Sequence, residues 1–222
     1  MQLRDLLGPV GPLEALLDEP ARERAVNRDG LLERPAGEGI RAAVVFAHPH
    51  PQYGGTMHTK VVYQSAKALA RIGCAVLRFN FRGVGTSAGH FDEGRGEKDD
   101  FRAAVGYVSV RYPDAPVWAA GMSFGAWVGL TSGAEDDRVS ALLGVAMPVA
   151  SFDLDAIRTS AKPKFFIHGE RDEIGSLKAM REFYARASEP KELVVIDAAD
   201  HLFDGQVSEV ADAIEELLGD WS

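Results

Sequence analysis

The sequence predicts an α/β fold, a mostly parallel sheet with helices on both faces, and three observations carry that prediction. From Ile40 onward, apolar runs of strand length alternate with helical stretches, the pattern of strands joined by crossover helices. One junction, Gly121-Met122-Ser123-Phe124-Gly125, stands between an apolar strand and a segment carrying Trp127, Val128 and Leu130. The composition, 222 residues with 46% apolar and 26% charged, suits an ordinary soluble globular protein. It is long enough for one well-buried core and short for two, so residues 1–222 are read as one domain.

The elements follow in order. Residues 3–17, broken by Gly8-Pro9-Val10-Gly11-Pro12, read as an opening hairpin. Residues 18–39 are rich in proline, glycine and charge and read as a loop or irregular connection. Strands are expected at 41–47, 75–81, 116–121, 139–147, 164–168 and 192–196, and helices at 57–72, 97–110, 124–134, 177–187 and 207–218. No repeat or low-complexity tract interrupts them.

The junction at Ser123 is the first chemical signal. A strand-to-helix turn this tight strains its central serine and exposes the hydroxyl at the sheet edge. Its glycines let neighbouring backbone approach where a side chain would clash, and the Phe124 amide stands at a helix start, where the helix does not use it. A serine needs a base, and the base an orienting acid. His201 follows the strand 192–196, and Glu170, Asp172 and Glu173 share the loop after 164–168. In an open parallel sheet these loops share the carboxyl edge, where ligands bind. Asp153 or Asp155 would serve if the acid came one strand earlier.

Two further stretches sharpen this reading. One is His48-Pro49-His50-Pro51 followed by Gly54-Gly55-Thr56-Met57; the other runs from Phe79-Asn80-Phe81-Arg82-Gly83 through Gly85, Ser87, Gly89, Phe91, Asp92, Gly94, Gly96 and Glu97 to Asp100. With the Gly-x-Ser-x-Gly turn, the chain resembles the serine α/β-hydrolases, and most closely a small lidless bacterial subgroup, from about Arg41 to Phe203. The resemblance implies an α/β-hydrolase fold of about eight strands. It also implies the chain order Ser123, Asp172, His201, with Asp172 matching the family's strand-His-Gly-x-x-Asp pattern. The second oxyanion donor comes from the loop after the first parallel strand. Pro49 and Pro51 have no N–H, which leaves His48, His50 and Gln52; position counting against related loops favours the His50 amide beside that of Phe124, with Gln52 and Tyr53 as alternatives. Only residues 148–163 separate two strands where relatives insert a cap, leaving room for one short helix near 152–158 and an open site.

Competing readings are weaker. Gly83-Val84-Gly85-Thr86-Ser87-Ala88 fits a dinucleotide fingerprint, but a polar glycine-rich loop follows instead of a helix, so no nicotinamide or flavin cofactor is expected. Arg82 is expected to pair with Glu97, Asp99 or Asp100 and brace the site. His48, His50 and His58 lack a nearby Asp, Glu or Cys set, so no metal is expected. The net charge of −9 argues against nucleic acid. The single Cys74 allows no internal disulfide and points to a reducing, cytoplasmic setting. No signal peptide or membrane-length apolar run is evident. The expected activity is hydrolysis of small carboxylic esters through an acyl-enzyme. A thioesterase or short-peptide hydrolase is the runner-up, and a non-catalytic binding member of the fold a third reading. Tyr53 and Phe203 are candidate substrate contacts, and a monomer or homodimer is expected.

Overall fold

In a computed structural model, residues 1–21, 25–27, 30–32 and 39–221 are described. The chain opens with β1 (Gln2–Leu3) paired antiparallel to β4 (Ala15–Asp18), and between them β2 (Leu7–Gly8) pairs with β3 (Gly11–Pro12). This is the expected opening hairpin, folded at two levels. The expectation of irregular chain over 18–39 needs correction: β5 (Ala25–Asn27) pairs antiparallel with β6 (Gly30–Leu32). Turn-forming Asn27, Asp29 and Gly30 lie between Val26 and Leu31 in the sequence, a hairpin signal that the surrounding charge obscures. The rest of that expectation, at 22–24, 28–29 and 33–38, lies outside the described residues.

The alternating part follows the expected order: β7 (Ala43–Ala47), α1 (Lys60–Arg71), β8 (Ala75–Phe79), α2 (Arg95–Arg111), β9 (Val117–Met122) and α3 (Phe124–Glu135). It continues through β10 (Val139–Val145), α4 (Asp155–Thr159), β11 (Lys164–Gly169), α5 (Leu177–Arg186), β12 (Lys191–Ile196) and α6 (Val207–Leu218). The eight-stranded sheet has the order β1-β4-β8-β7-β9-β10-β11-β12. The six strands from β8 to β12 run parallel, and β4 joins β8 antiparallel.

Strand periodicity divides the core. Along β7, Ala43, Val45 and Ala47 face α2 and α3 residues such as Phe101, Val105 and Leu130, while Val44 and Phe46 face Val61, Val62 and Leu69 of α1 and Ile214 of α6. Both faces are therefore covered, as a parallel sheet requires. Cys74 is one of the buried residues on the α1/α6 face. The chain runs from β7 to β8 on one side and returns to β9 on the other, so the crevice beside β7 is the topological switch point where such sheets bind ligands.

Between β10 and β11 the only helix is α4, so no separate cap covers this edge among the described residues. After β8, Gly83, Gly85, Gly89 and Gly94 all have positive φ and the next helix starts at Arg95. The segment is a loop and does not deliver a helix N-terminus to a pyrophosphate. Of its expected partners Arg82 takes Asp100, through Nε (3.0 Å), Nη2 (2.8 Å) and its backbone amide (3.0 Å). Glu97 instead accepts the Asp92 and Gly94 amides, at 2.9 and 2.8 Å. No helix is long and apolar enough to cross a membrane among the described residues.

Candidate active site

Ser123 joins β9 to α3 with φ 53° and ψ −121°, a left-handed backbone that a non-glycine residue adopts only when its surroundings impose it. Those surroundings are backbone. A Cβ on Gly121 would collide with the Gly125 carbonyl group, and one on Gly125 with the carbonyl oxygens of Ala47 and His48. The Ser123 amide donates to the Val145 carbonyl at 2.9 Å, and its own carbonyl accepts from the Trp127 amide at 3.0 Å. The turn thus lifts the hydroxyl over the sheet edge and leaves the Phe124 amide at the first position of α3, without a carbonyl one turn back.

The hydroxyl meets His201. The Ser123 Oγ lies 2.8 Å from His201 Nε2, and His201 Nδ1 lies 2.8 Å from Asp172 Oδ2. Asp172 Oδ1 accepts the amides of Ile174 (2.9 Å) and Gly175 (2.7 Å). Burial pushes the Asp172 carboxyl up, but the bonds from His201 and the Gly175 amide outweigh it and hold the pKa below the ordinary value. Asp172 therefore stays ionised and acceptor-only toward His201. All three residues are buried. The other carboxylates considered stand elsewhere: Glu170 accepts the Ala198 amide at 2.8 Å, Glu173 is exposed, Asp153 accepts the Asp155 amide at 2.9 Å, and Asp155 pairs with Arg158 at 3.0 Å.

The acid and histidine loops are tied together. The Glu170 amide donates to Ile196 (2.9 Å) and the Arg171 amide to Ala199 (2.8 Å), while Gly169 packs against the Ala199 and Asp200 carbonyls so closely that a Cβ would not fit. The distance from Asp172 to His201 is thus fixed by backbone pairing, not by the two side chains alone.

The loop after β7 makes a single 3-10 turn at Pro51–Tyr53. The Gln52 amide donates to His50 Nδ1 (3.2 Å), the Tyr53 and Gly55 amides to the His50 carbonyl (3.1 Å each), and the Gly54 amide to Pro51 (3.3 Å). From Pro49 to Gly55, among the described residues, the turn engages these donors and leaves the His50 amide unengaged. His48 anchors the loop from below: its Nε2 accepts the Phe81 amide at 3.1 Å and its Nδ1 donates to the Pro49 carbonyl at 2.6 Å. Both nitrogens are committed, and burial pushes the pKa down to about 4.

An aromatic surface flanks the serine. The His50 ring lies 4.8 Å from those of Tyr53 and Phe124 and 5.1 Å from Phe91. Phe124 meets Trp127 at 5.5 Å, and Trp127 stacks on Phe152 at 4.0 Å. Phe91, Trp127 and Phe152 were not singled out from sequence as site neighbours. The signal was available for Phe152, which lies in the short connection that replaces a cap. Tyr53 is 87% exposed beside this surface. Phe203 is a correction: it has a φ of 56° and is wholly buried, a member of the core cluster on the α1/α6 face that also holds Val210 and Ile214. It offers a substrate nothing.

An open parallel sheet that carries a strained serine, an imidazole and a carboxylate in one hydrogen-bonded line at its carboxyl edge has the architecture of the α/β-hydrolases. Comparison with known proteins agrees: residues 40–218 match the family described as "Alpha/beta hydrolase domain", and the chain belongs to it. An alpha-beta serine hydrolase homologue from Coxiella burnetii is 32% identical with a TM-score of 0.86, over 98% of this chain and 97% of that one. XC6422 from Xanthomonas campestris, described as an a/b serine hydrolase without lid, is 34% identical with a TM-score of 0.86, over 100% and 94%. An uncharacterized protein of Rickettsia prowazekii (strain Madrid E) is 35% identical over 180 residues, 77% of this chain and 76% of that protein. Family and neighbours make the chain an enzyme of the hydrolase superfamily.

Proposed function

We propose that the protein is a serine hydrolase that cleaves small carboxylic esters through an acyl-enzyme. The observation that carries the reading is the unbroken line from Ser123 Oγ through His201 to Asp172, 2.8 Å at each link. His201 Nε2 takes the serine proton as Oγ attacks the ester carbonyl, and Asp172 holds the Nδ1–H tautomer and stabilises the imidazolium. The oxyanion gathers on the amides of Phe124 and His50, two donors outside local hydrogen bonding. The imidazolium then protonates the departing alkoxide, and water activated by His201 releases the acid.

The substrate's apolar group lies along the His50, Phe91 and Phe152 surface, with Tyr53 at its exposed end. A fluorophosphonate probe tests the reading. One adduct by intact mass is expected on the wild type and none on Ser123→Ala, whose ester turnover falls by several orders of magnitude. A wild type that neither labels nor hydrolyses p-nitrophenyl acetate above the buffer rate overturns it.

A further inference from the structure

We propose that His168 is a positioning residue for Asp172, acting through Gly175; the inference rests on reading Asp172, His201 and Ser123 as the catalytic line. His168 closes the apolar run Phe165-Phe166-Ile167 of β11, and its side chain is wholly buried. Its Nε2 bonds to the Gly175 carbonyl. A carbonyl only accepts, so Nε2 carries the proton and Nδ1 is left as a bare acceptor. That Nδ1 is buried without a hydrogen-bond partner among the described residues, an arrangement that costs stability because the acceptor gives up water for nothing. Burial also lowers the His168 pKa, which keeps the ring neutral. An apolar side chain would sit in this strand at lower cost. What the imidazole adds is one donor, directed at one carbonyl.

That carbonyl belongs to the residue that orients the acid. The Gly175 amide donates to Asp172 Oδ1 at 2.7 Å, which turns Oδ2 toward His201. Gly175 also packs against the Met147 carbonyl so closely that a Cβ would not fit. Glycine at this position leaves the amide free to swing, unless its neighbours fix it. His168 and Met147 hold it from two sides. His168 makes no hydrogen bond to the acid itself: Nε2 lies 3.7 Å from Asp172 Oδ2, a distance that leaves only a charge interaction between them. The line of control therefore runs His168, Gly175, Asp172, His201, Ser123.

The test compares His168→Phe, which keeps a ring and loses the donor, with His168→Gln, whose amide can still reach the Gly175 carbonyl. Kinetics on a short-chain ester are read beside the low-field proton NMR signal of the His201–Asp172 bond. For His168→Phe we expect kcat to fall by roughly ten- to a hundredfold, the range that a small misplacement of a catalytic group produces, with KM nearly unchanged. The low-field signal moves or disappears. His168→Gln recovers most of both. A His168→Phe protein with wild-type kcat and an unmoved signal overturns the proposal, as does equal loss in both variants. Should His168→Phe not fold, nitrogen-15 histidine spectra of the wild type decide: the Nε2–H tautomer is expected at His168, and Nδ1–H overturns the proposal. Absent fluorophosphonate labelling of the wild type would break the serine-hydrolase reading, whereas intact labelling with an indifferent His168→Phe breaks only this inference.

Discussion

Gly125 and Ala47 meet backbone to backbone: a Cβ on Gly125 would stand 2.5 Å from the Ala47 carbonyl oxygen. The turn carrying Ser123 and the root of the His50 loop are therefore one packed unit. Gly125→Ala gains up to about 1 kcal/mol of helix propensity but drives a methyl group into backbone that cannot swing aside. We expect a net loss of about 2 kcal/mol or more, typical of overpacking, and a larger fall in kcat than rise in KM as the His50 amide is displaced. Denaturant titration and steady-state kinetics check both. Wild-type values in each would show that the contact positions nothing.

The acid is tested by amide substitution. Asp172→Asn keeps the shape but offers a neutral group to His201 and weakens the hold on its Nδ1–H tautomer, so kcat should drop by about 10³–10⁴-fold, as acid-to-amide changes in such triads do. Glu170→Gln, Asp153→Asn and Asp155→Asn should stay within about tenfold of wild type, a barrier change of roughly 1.4 kcal/mol. If Asp153→Asn or Asp155→Asn proved the crippling change, the acid would belong one strand earlier.

His48 sets a pH dependence of stability. Its Nε2 accepts the Phe81 amide, so a proton on that nitrogen would face another donor, and burial lowers its pKa from 6.5 to about 4. Between those values the unfolded chain binds a proton that the folded chain refuses, so stability rises with pH across the window. The contribution is complete above about 6.5 and is lost as pH falls toward 4, amounting to roughly 3 kcal/mol at 1.36 kcal/mol per pKa unit. His168, also held neutral by burial, acts in the same sense and stays present in both proteins compared. Denaturation of wild type and His48→Gln from pH 7.5 to 4.5 should give a visibly shallower acid limb for the variant. Parallel curves would contradict this.

The strands from β7 to β12, their helices and the loops carrying Ser123, Asp172 and His201 were legible in the sequence, because each rests on local pattern: apolar period, glycine at turns, residue type at strand ends. What was not legible depends on where the chain turns next. Phe203 lies two residues after His201, yet it has a left-handed φ of 56° and its ring is buried in the core on the α1/α6 face. Arg82 faced three acidic candidates, and the loop that gives Glu97 to the Asp92 and Gly94 amides leaves Asp100 as its partner. The stacking of Phe152 on Trp127 joins two segments that share no local pattern. The pair Ala25–Asn27 and Gly30–Leu32 was masked by the charge around it.

The absence of a cap between β10 and β11 bears on the length of the acyl chain. Each methylene fully withdrawn from water contributes roughly 0.8 kcal/mol, but only while protein covers it. Beside Ser123 the covering surface is short: the rings of His50, Phe91 and Phe152, ending at Tyr53, which is 87% exposed. Carbons beyond that shelf stay in water and add nothing to transition-state binding, while they still lose conformational freedom on docking. We therefore expect kcat/KM for p-nitrophenyl esters to rise over the first few acyl carbons and then fall. No jump in rate is expected at the solubility limit, since the connection between β10 and β11 holds no cap that would have to open at a lipid–water interface. Phe152→Ala should flatten the rising part of the profile and leave the acetate nearly unchanged. Highest activity on emulsified long-chain triglycerides, with a burst above the solubility limit, would sink the open short-chain reading.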